Sequence, residues 1–143
     1  MDDDSLAEDL RQTIGELVRA VRAVDTASPG EAAILGFLDR DGPRTTSELA
    51  HLRRVTHQSA AKSVKELLGG ELVSAEPHPS DGRKVLLQIT EAGRARLHGD
   101  RARRADALDS AISDTLSSDE RQQLRESISV MARLTAHIIQ GEN

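Results

Sequence analysis

Apolar residues at Leu6, Leu10, Ile14, Leu17, Val18, Val21 and Val24 recur at steps of three and four, the spacing of one face of an amphipathic helix. Ser5 is placed to cap that helix, with Asp2, Asp3 and Asp4 where the helix dipole favours anions. Ser28-Pro29-Gly30-Glu31 opens a second helix, with Ser as cap, Pro in the first turn and Glu three after the cap. It carries Ala33, Ile34, Phe37 and Leu38 and stops at Asp41-Gly42-Pro43. Thr45-Thr46-Ser47-Glu48 is another capping box and predicts a short third helix with Leu49, Ala50 and Leu52. Thr56 caps a fourth helix with apolar positions Ala60, Val64, Leu67 and Leu68. Gly69-Gly70 ends it, because glycine readily takes the left-handed conformation that helix ends use.

The period then changes. Residues 72–76 read as a short strand, and Val85, Leu87 and Ile89 alternate with Leu86 and Gln88 as a second one. The connector between them contains Asp81-Gly82, a turn signal, and is long enough to project into solvent. A long helix follows from Thr90, with Leu97, Ala105, Leu108, Ile112 and Leu116 on its apolar face. Ser117-Ser118-Asp119-Glu120 caps a last helix bearing Leu124, Ile128, Met131, Leu134 and Ile138 on one side. The predicted order is four helices, a hairpin and two helices, a mainly α fold with a small β-hairpin.

Composition narrows the chemistry. The 143 residues hold no cysteine, which removes disulfides, thiolate metal sites, a thiol nucleophile and thiol-based redox sensing. The apolar run at 32–38 is too short to span a bilayer. The acidic start, Met1-Asp2-Asp3-Asp4, resembles neither a signal peptide nor a transit peptide, so a cytoplasmic protein without membrane contact is expected. The histidines lack metal-ligand spacing, and no catalytic motif surrounds them. His98 with Asp100 reads as a solvated pair on a surface helix. Neither an enzyme, a metal site nor a cofactor is expected.

Charge changes the picture more. The net charge is −5, yet residues 43–104 carry twelve Lys and Arg against seven acids, a balance of +5. Four of the five histidines lie in this segment too. Such a split suggests a polyanion-binding middle with acidic flanks that do something else. Within it, two short helices joined by Arg53-Arg54-Val55 form a helix-turn-helix pattern, and the hairpin directly after makes it a winged one. The major groove of DNA admits one helix, whose first residues reach base edges. Here those residues are Thr56, His57, Gln58, Ser59 and Lys62, with Ser63 and Lys65 further along and the small Ala60 and Ala61 permitting close approach. Arg83 and Lys84 sit at the hairpin tip. An arginine on a thin loop suits a narrow A·T-rich minor groove, and Asp81 is placed to bond its guanidinium or the loop backbone.

At these residues the chain resembles the MarR family of bacterial transcriptional regulators. The resemblance rests on Gly42-Pro43-Arg44-Thr45-Thr46-Ser47-Glu48-Leu49-Ala50, Val55-Thr56-His57-Gln58-Ser59, Val64-Lys65-Glu66-Leu67 and Leu72-Val73. It continues through Pro79-Ser80-Asp81-Gly82-Arg83 and Ile89-Thr90-Glu91-Ala92-Gly93-Arg94. It implies a winged helix-turn-helix at 28–97 flanked by dimerisation helices at 1–27 and 98–143. It further implies a homodimeric regulator of the repressor type on double-stranded DNA with a palindromic operator. Helix 56–69 would enter the major groove and the wing from Asp81 to Arg83 the minor groove. The resemblance also implies a small-molecule effector. With no Trp or Tyr, a stacked aromatic ligand would meet Phe37 alone, and Arg19, Arg22 or Arg53 would have to pair with its carboxylate. Two positions depart from the pattern: Glu71 stands where the family often has Gly, and Ser74-Ala75-Glu76 lacks the usual basic residue. The alternative that the net acidity suggests is a winged-helix protein-interaction module without DNA binding.

Overall fold

A computed structural model of the chain describes residues 3–142. Six helices and one hairpin follow in order: α1 (Asp3–Arg22), α2 (Pro29–Asp41), α3 (Thr46–Arg53), α4 (His57–Gly69), β1 (Val73–Pro77), β2 (Val85–Ile89), α5 (Glu91–Thr115) and α6 (Ser118–Gly141). This is the mainly helical winged fold that the sequence predicts. The chain divides into two compact units, Met1–Arg104 and Ala105–Asn143, with the division inside α5.

The predicted caps close four of the helices as expected, Thr56 capping α4 and the other three forming capping boxes. Ser28, Thr45 and Ser117 each accept a backbone N–H from the Glu three residues on, and each Glu side chain accepts the cap's own N–H. α1 differs. It starts at Asp3, so Ser5 lies inside the helix and is no cap. Acidic residues suit a first helical turn, which lets the helix run through them. The expectation for Asp2 lies outside the described residues, as do the side chains of Asp3 and Asp4. Val24, expected on the helix, falls in the turn after Arg22.

The end of α4 also differs. Gly70 has φ −87°, and the left-handed residue is Glu71 at φ +59°. Leu72 N–H bonds the carbonyl of Leu67 and Glu71 N–H that of Leu68, a Schellman closure with a glutamate where glycine is easiest. Because Leu72 N–H closes the helix, the strand begins one residue later than predicted, at Val73. β1 and β2 then pair antiparallel from Val73↔Ile89 to Pro77↔Val85. Arg44 and Leu87 exchange backbone hydrogen bonds of 3.2 and 2.8 Å, which ties the α2–α3 connector to the hairpin.

The core gathers Ile34, Leu35 and Leu38 of α2, Leu49 of α3, Val64 and Leu67 of α4, Leu72 and Val73, Leu87 and Ile89 of β2, and Leu97 of α5. Burying each such side chain is worth roughly 1.5–3 kcal/mol. Leu35 is fully buried although the helical pattern left it out. Leu52 and Leu68, expected with the apolar faces, are exposed.

Thr90-Glu91-Ala92-Gly93 locks α5 onto this core. The Thr90 hydroxyl donates to the carbonyl of Glu71 at 2.8 Å and accepts the N–H of Gly93 at 3.0 Å. Gly93 is buried, and a Cβ there would come 2.1 Å from the Leu72 carbonyl oxygen. Only glycine lets the helix approach the Leu72 backbone this closely.

Asp100 corrects the surface pair expected of it. It is 2% exposed and takes hydrogen bonds from Thr26 Oγ1 (2.8 Å), Thr26 N (3.1 Å) and Ala27 N (3.2 Å), besides an ion pair with Arg103. Burial works to raise its pKa. The bonds from Thr26, Arg103 and Ala27 outweigh that and hold the carboxyl at about 2. Asp25 pairs with Arg104 at 3.2 Å beside it, so one ion pair and the hydrogen bonds from Thr26 and Ala27 to Asp100 fasten the α1–α2 connector to α5.

The terminal helices leave apolar side chains in solvent. On α1 these are Leu6, Ile14, Leu17 and Val18; on α6 they are Ile128, Val130, Leu134, Ile138 and Ile139, and no residue of α6 is buried. Among the described residues no helix is long and apolar enough to cross a membrane.

Candidate nucleic-acid interface

The helix-turn-helix forms because the turn between α3 and α4 satisfies its own backbone. Arg54 takes φ +55° and ψ +44°, and its N–H closes α3 on Ala50 and His51. Val55 N–H bonds the Ala50 carbonyl at 3.0 Å. Thr56 then caps α4, accepting Ser59 N–H at 3.1 Å.

α4 divides by face. Ala60, Val64 and Leu67 are buried against the core, while Thr56, His57, Gln58, Ser59, Lys62 and Lys65 are exposed. Two expectations change here. Ala60 is fully buried and serves helix packing rather than close approach from outside. Ser63 is half-buried and turned toward α2, with Oγ 2.8 Å from where a Cβ on Gly30 would lie.

Arg53 shares that inward place. Its Nη2 comes 2.9 Å from the same point over Gly30, and its Nη1 is buried without a hydrogen-bond partner. The sequence presents Arg53 as one of three ligand-pairing candidates; the structure wedges it among α2, α3 and α4. Nothing local in the sequence signals this, because Gly30 and Ser63 lie far from it along the chain.

The hairpin tip is built around Asp81. Its Oδ1 accepts the Arg83 backbone N–H at 3.1 Å and the Arg83 Nε at 3.2 Å. The first of these bonds, then the second, lowers the Asp81 pKa below the usual carboxylate value. Both roles that the sequence offered Asp81, guanidinium and backbone, are filled at once. Arg83 remains 92% exposed, a fixed root with a free end. His78 N–H donates to the Lys84 carbonyl and Lys84 N–H to that of Asp81, each at 3.0 Å, which closes the loop.

The tip and α4 meet in one cleft of about 200 Å³, lined by Thr45, Thr46, Ser47, His57, Arg83, Lys84 and Val85. Its rim therefore carries two cations, an imidazole and the hydroxyls of Thr46 and Ser47, a lining suited to phosphate oxygens, while the buried Thr45 hydroxyl is engaged by Glu48. Thr46 and Ser47 belong to it besides forming the start of α3. The hydroxyl run of the capping box was the signal available for them. Among the described residues, no three His, Asp or Glu side chains gather as a metal site.

Comparison with known proteins gives a consistent result. A sequence model of the MarR family matches residues 26–84. An uncharacterised HTH-type transcriptional regulator of Mycobacterium leprae is 31% identical over 135 residues, covering 92% of this chain and 94% of the relative. A solved structure from Pseudomonas aeruginosa described as a transcriptional regulator protein superposes with a TM-score of 0.81 at 31% identity, covering 93% of this chain and 95% of its own. A mutant of MepR from S. aureus, solved bound to an oligodeoxyribonucleotide, shares the fold with a TM-score of 0.66 at 16% identity, covering 90% and 96%.

Proposed function

This chain belongs to the MarR family of helix-turn-helix transcriptional regulators, and from that premise we propose that it acts as a homodimeric repressor on a palindromic DNA site. The family and its relatives are regulators, not enzymes. The observation that carries the DNA reading is the cleft in which His57 at the start of α4 meets Arg83 and Lys84 of the wing. Thr56, His57, Gln58, Ser59 and Lys62 are available to base edges and phosphates, with Lys65 further along. Gln bonds adenine in two places, and hydroxyls and lysine hold backbone. Asp81 aims Arg83 toward the minor groove. Ser63 contributes by seating α4 against α2.

The homodimer reading is supported by the apolar side chains that α1 and α6 leave uncovered. Residues 28–97 then bind DNA, while 1–27 and 98–143 hold the two copies together. A two-fold pair reads half-sites about one helical turn apart. Seated there, it excludes other proteins from the same duplex, which is repression. A small-molecule effector would act on this dimer by changing the separation of its two α4 helices. Phe37, the one aromatic ring, is already covered by the Arg40 guanidinium at 5.2 Å.

Selection of bound duplexes from a random pool tests the reading. The expected product is a palindrome whose affinity falls steeply with added salt, as counterions are released. Recovery of no preferred duplex would sink it in favour of a protein-interaction module. On the selected duplex, Arg83→Ala is expected to weaken binding by roughly 1–3 kcal/mol, measured by fluorescence anisotropy.

A further inference from the structure

The wing loop contains a second device beneath Asp81. His78 is half-buried at its start, and its Nδ1 accepts two backbone N–H groups, from Ser80 at 3.1 Å and Asp81 at 3.2 Å. The ring does what the oxygen of an Asn or Asp does in an Asx-turn. The consequence is a relay. His78 holds the backbone of Asp81, and Asp81 holds both the backbone and the guanidinium of Arg83.

We propose that His78 is the positioning residue of the wing: its unprotonated Nδ1 aims Arg83 through Asp81, and a proton taken up from solvent at Nδ1 releases that aim. This rests on the DNA reading above. The chemistry is a lone-pair count. Nδ1 accepts with its single in-plane lone pair, which requires the Nε2–H tautomer. A proton placed there turns the acceptor into a donor facing two other donors, so the ring swings out or the loop opens. Histidine is the side chain whose ordinary titration falls between pH 5 and 8.

The Asp81 carboxylate attracts an imidazolium, while Arg83 and Lys84 oppose it. Pro77 and Val85, which pair at the strand ends below, bring no charge. His57 lines the neighbouring cleft with Arg83 and Lys84 and carries the same kind of ring, so wild type alone does not isolate His78.

His78→Asn isolates it, because an Asn oxygen accepts the same N–H groups and does not titrate. Anisotropy on the selected duplex between pH 8 and 5.5 should show wild type losing roughly three- to tenfold more affinity than His78→Asn, the scale of one lost hydrogen bond. His78→Ala should bind weakly at both pH values, with Asn restoring affinity. In ¹⁵N spectra of the free protein, the Ser80 and Asp81 amide signals should follow the His78 ring titration and stay flat in His78→Asn. Parallel pH profiles for wild type and His78→Asn, or indifferent Ser80 and Asp81 amides, overturn the proposal. If the protein binds no DNA at any pH, the function reading falls, and the amide titration still decides whether His78 holds the loop.

Discussion

Ile34, Leu35 and Leu49 in the unit Met1–Arg104 have no exposed surface, whereas α6 in the unit Ala105–Asn143 has no buried residue and leaves Ile138 at 62% exposure. Both regions are written in the same heptad-like alphabet of Leu, Ile and Val. In the first, α2, α3, α4 and the hairpin present apolar sides to one another and meet their partners within the chain, while α1 keeps Leu6 and Leu17 exposed. The second has the stripe without the cover. An amphipathic helix is therefore a statement about need, and only the packing says whether the same chain meets it.

The largest expected effect breaks the second region alone. Leu134→Glu with Ile138→Glu puts charges into the face that the homodimer reading buries. Dimer stability should fall by on the order of 6 kcal/mol, since two residues are lost from each of two chains. Analytical ultracentrifugation should then find monomer; an unchanged dimer would mean that α6 is not the interface.

Gly93→Ala breaks the first region. A Cβ 2.1 Å from a backbone oxygen cannot be relieved by rotating a side chain. A loss of about 3 kcal/mol in chemical denaturation is expected.

Asp100 offers a milder probe. Its folded pKa of about 2 lies below the ordinary value of 3.8. Its contribution is therefore full above pH 4 and is lost as pH falls toward 2. Asp100→Asn should cost about 2 kcal/mol at neutral pH, with the gap to wild type closing between pH 4 and 2. A pH-independent gap would assign the effect to packing.

Glu71→Gly should sharpen the comparison in the other direction. Relieving a left-handed glutamate at φ +59° is expected to stabilise the first unit by about 1 kcal/mol. The midpoint of thermal unfolding reads it.

The candidate interface was legible for the same reason that the helix starts were. Ser28 with Glu31, Thr45 with Glu48, and Asp81 with Arg83 are partners two or three residues apart, so a local pattern contains both members of each bond. Thr56 announces α4, and α4 brings His57 and Lys62 to the surface together. The signs that misled were equally local. Gly69-Gly70 looks like a left-handed helix end, yet the chain reverses at Glu71 because Leu72 must reach the core while its N–H closes α4.

The sequence by itself determined the order of elements, the caps of α2, α3, α4 and α6, the basic middle and the residues at the wing tip. These follow from bonds and periodicities that close within a few residues. Tertiary structure alone decided that Asp100 lies beneath Thr26 and Ala27, that Arg53 lies over Gly30, and that Gly93 touches the Leu72 carbonyl. Each joins residues more than twenty positions apart, and Asp100 and Thr26 stand 74 apart. A buried carboxylate and a surface one are the same letter until the chain that desolvates them has folded.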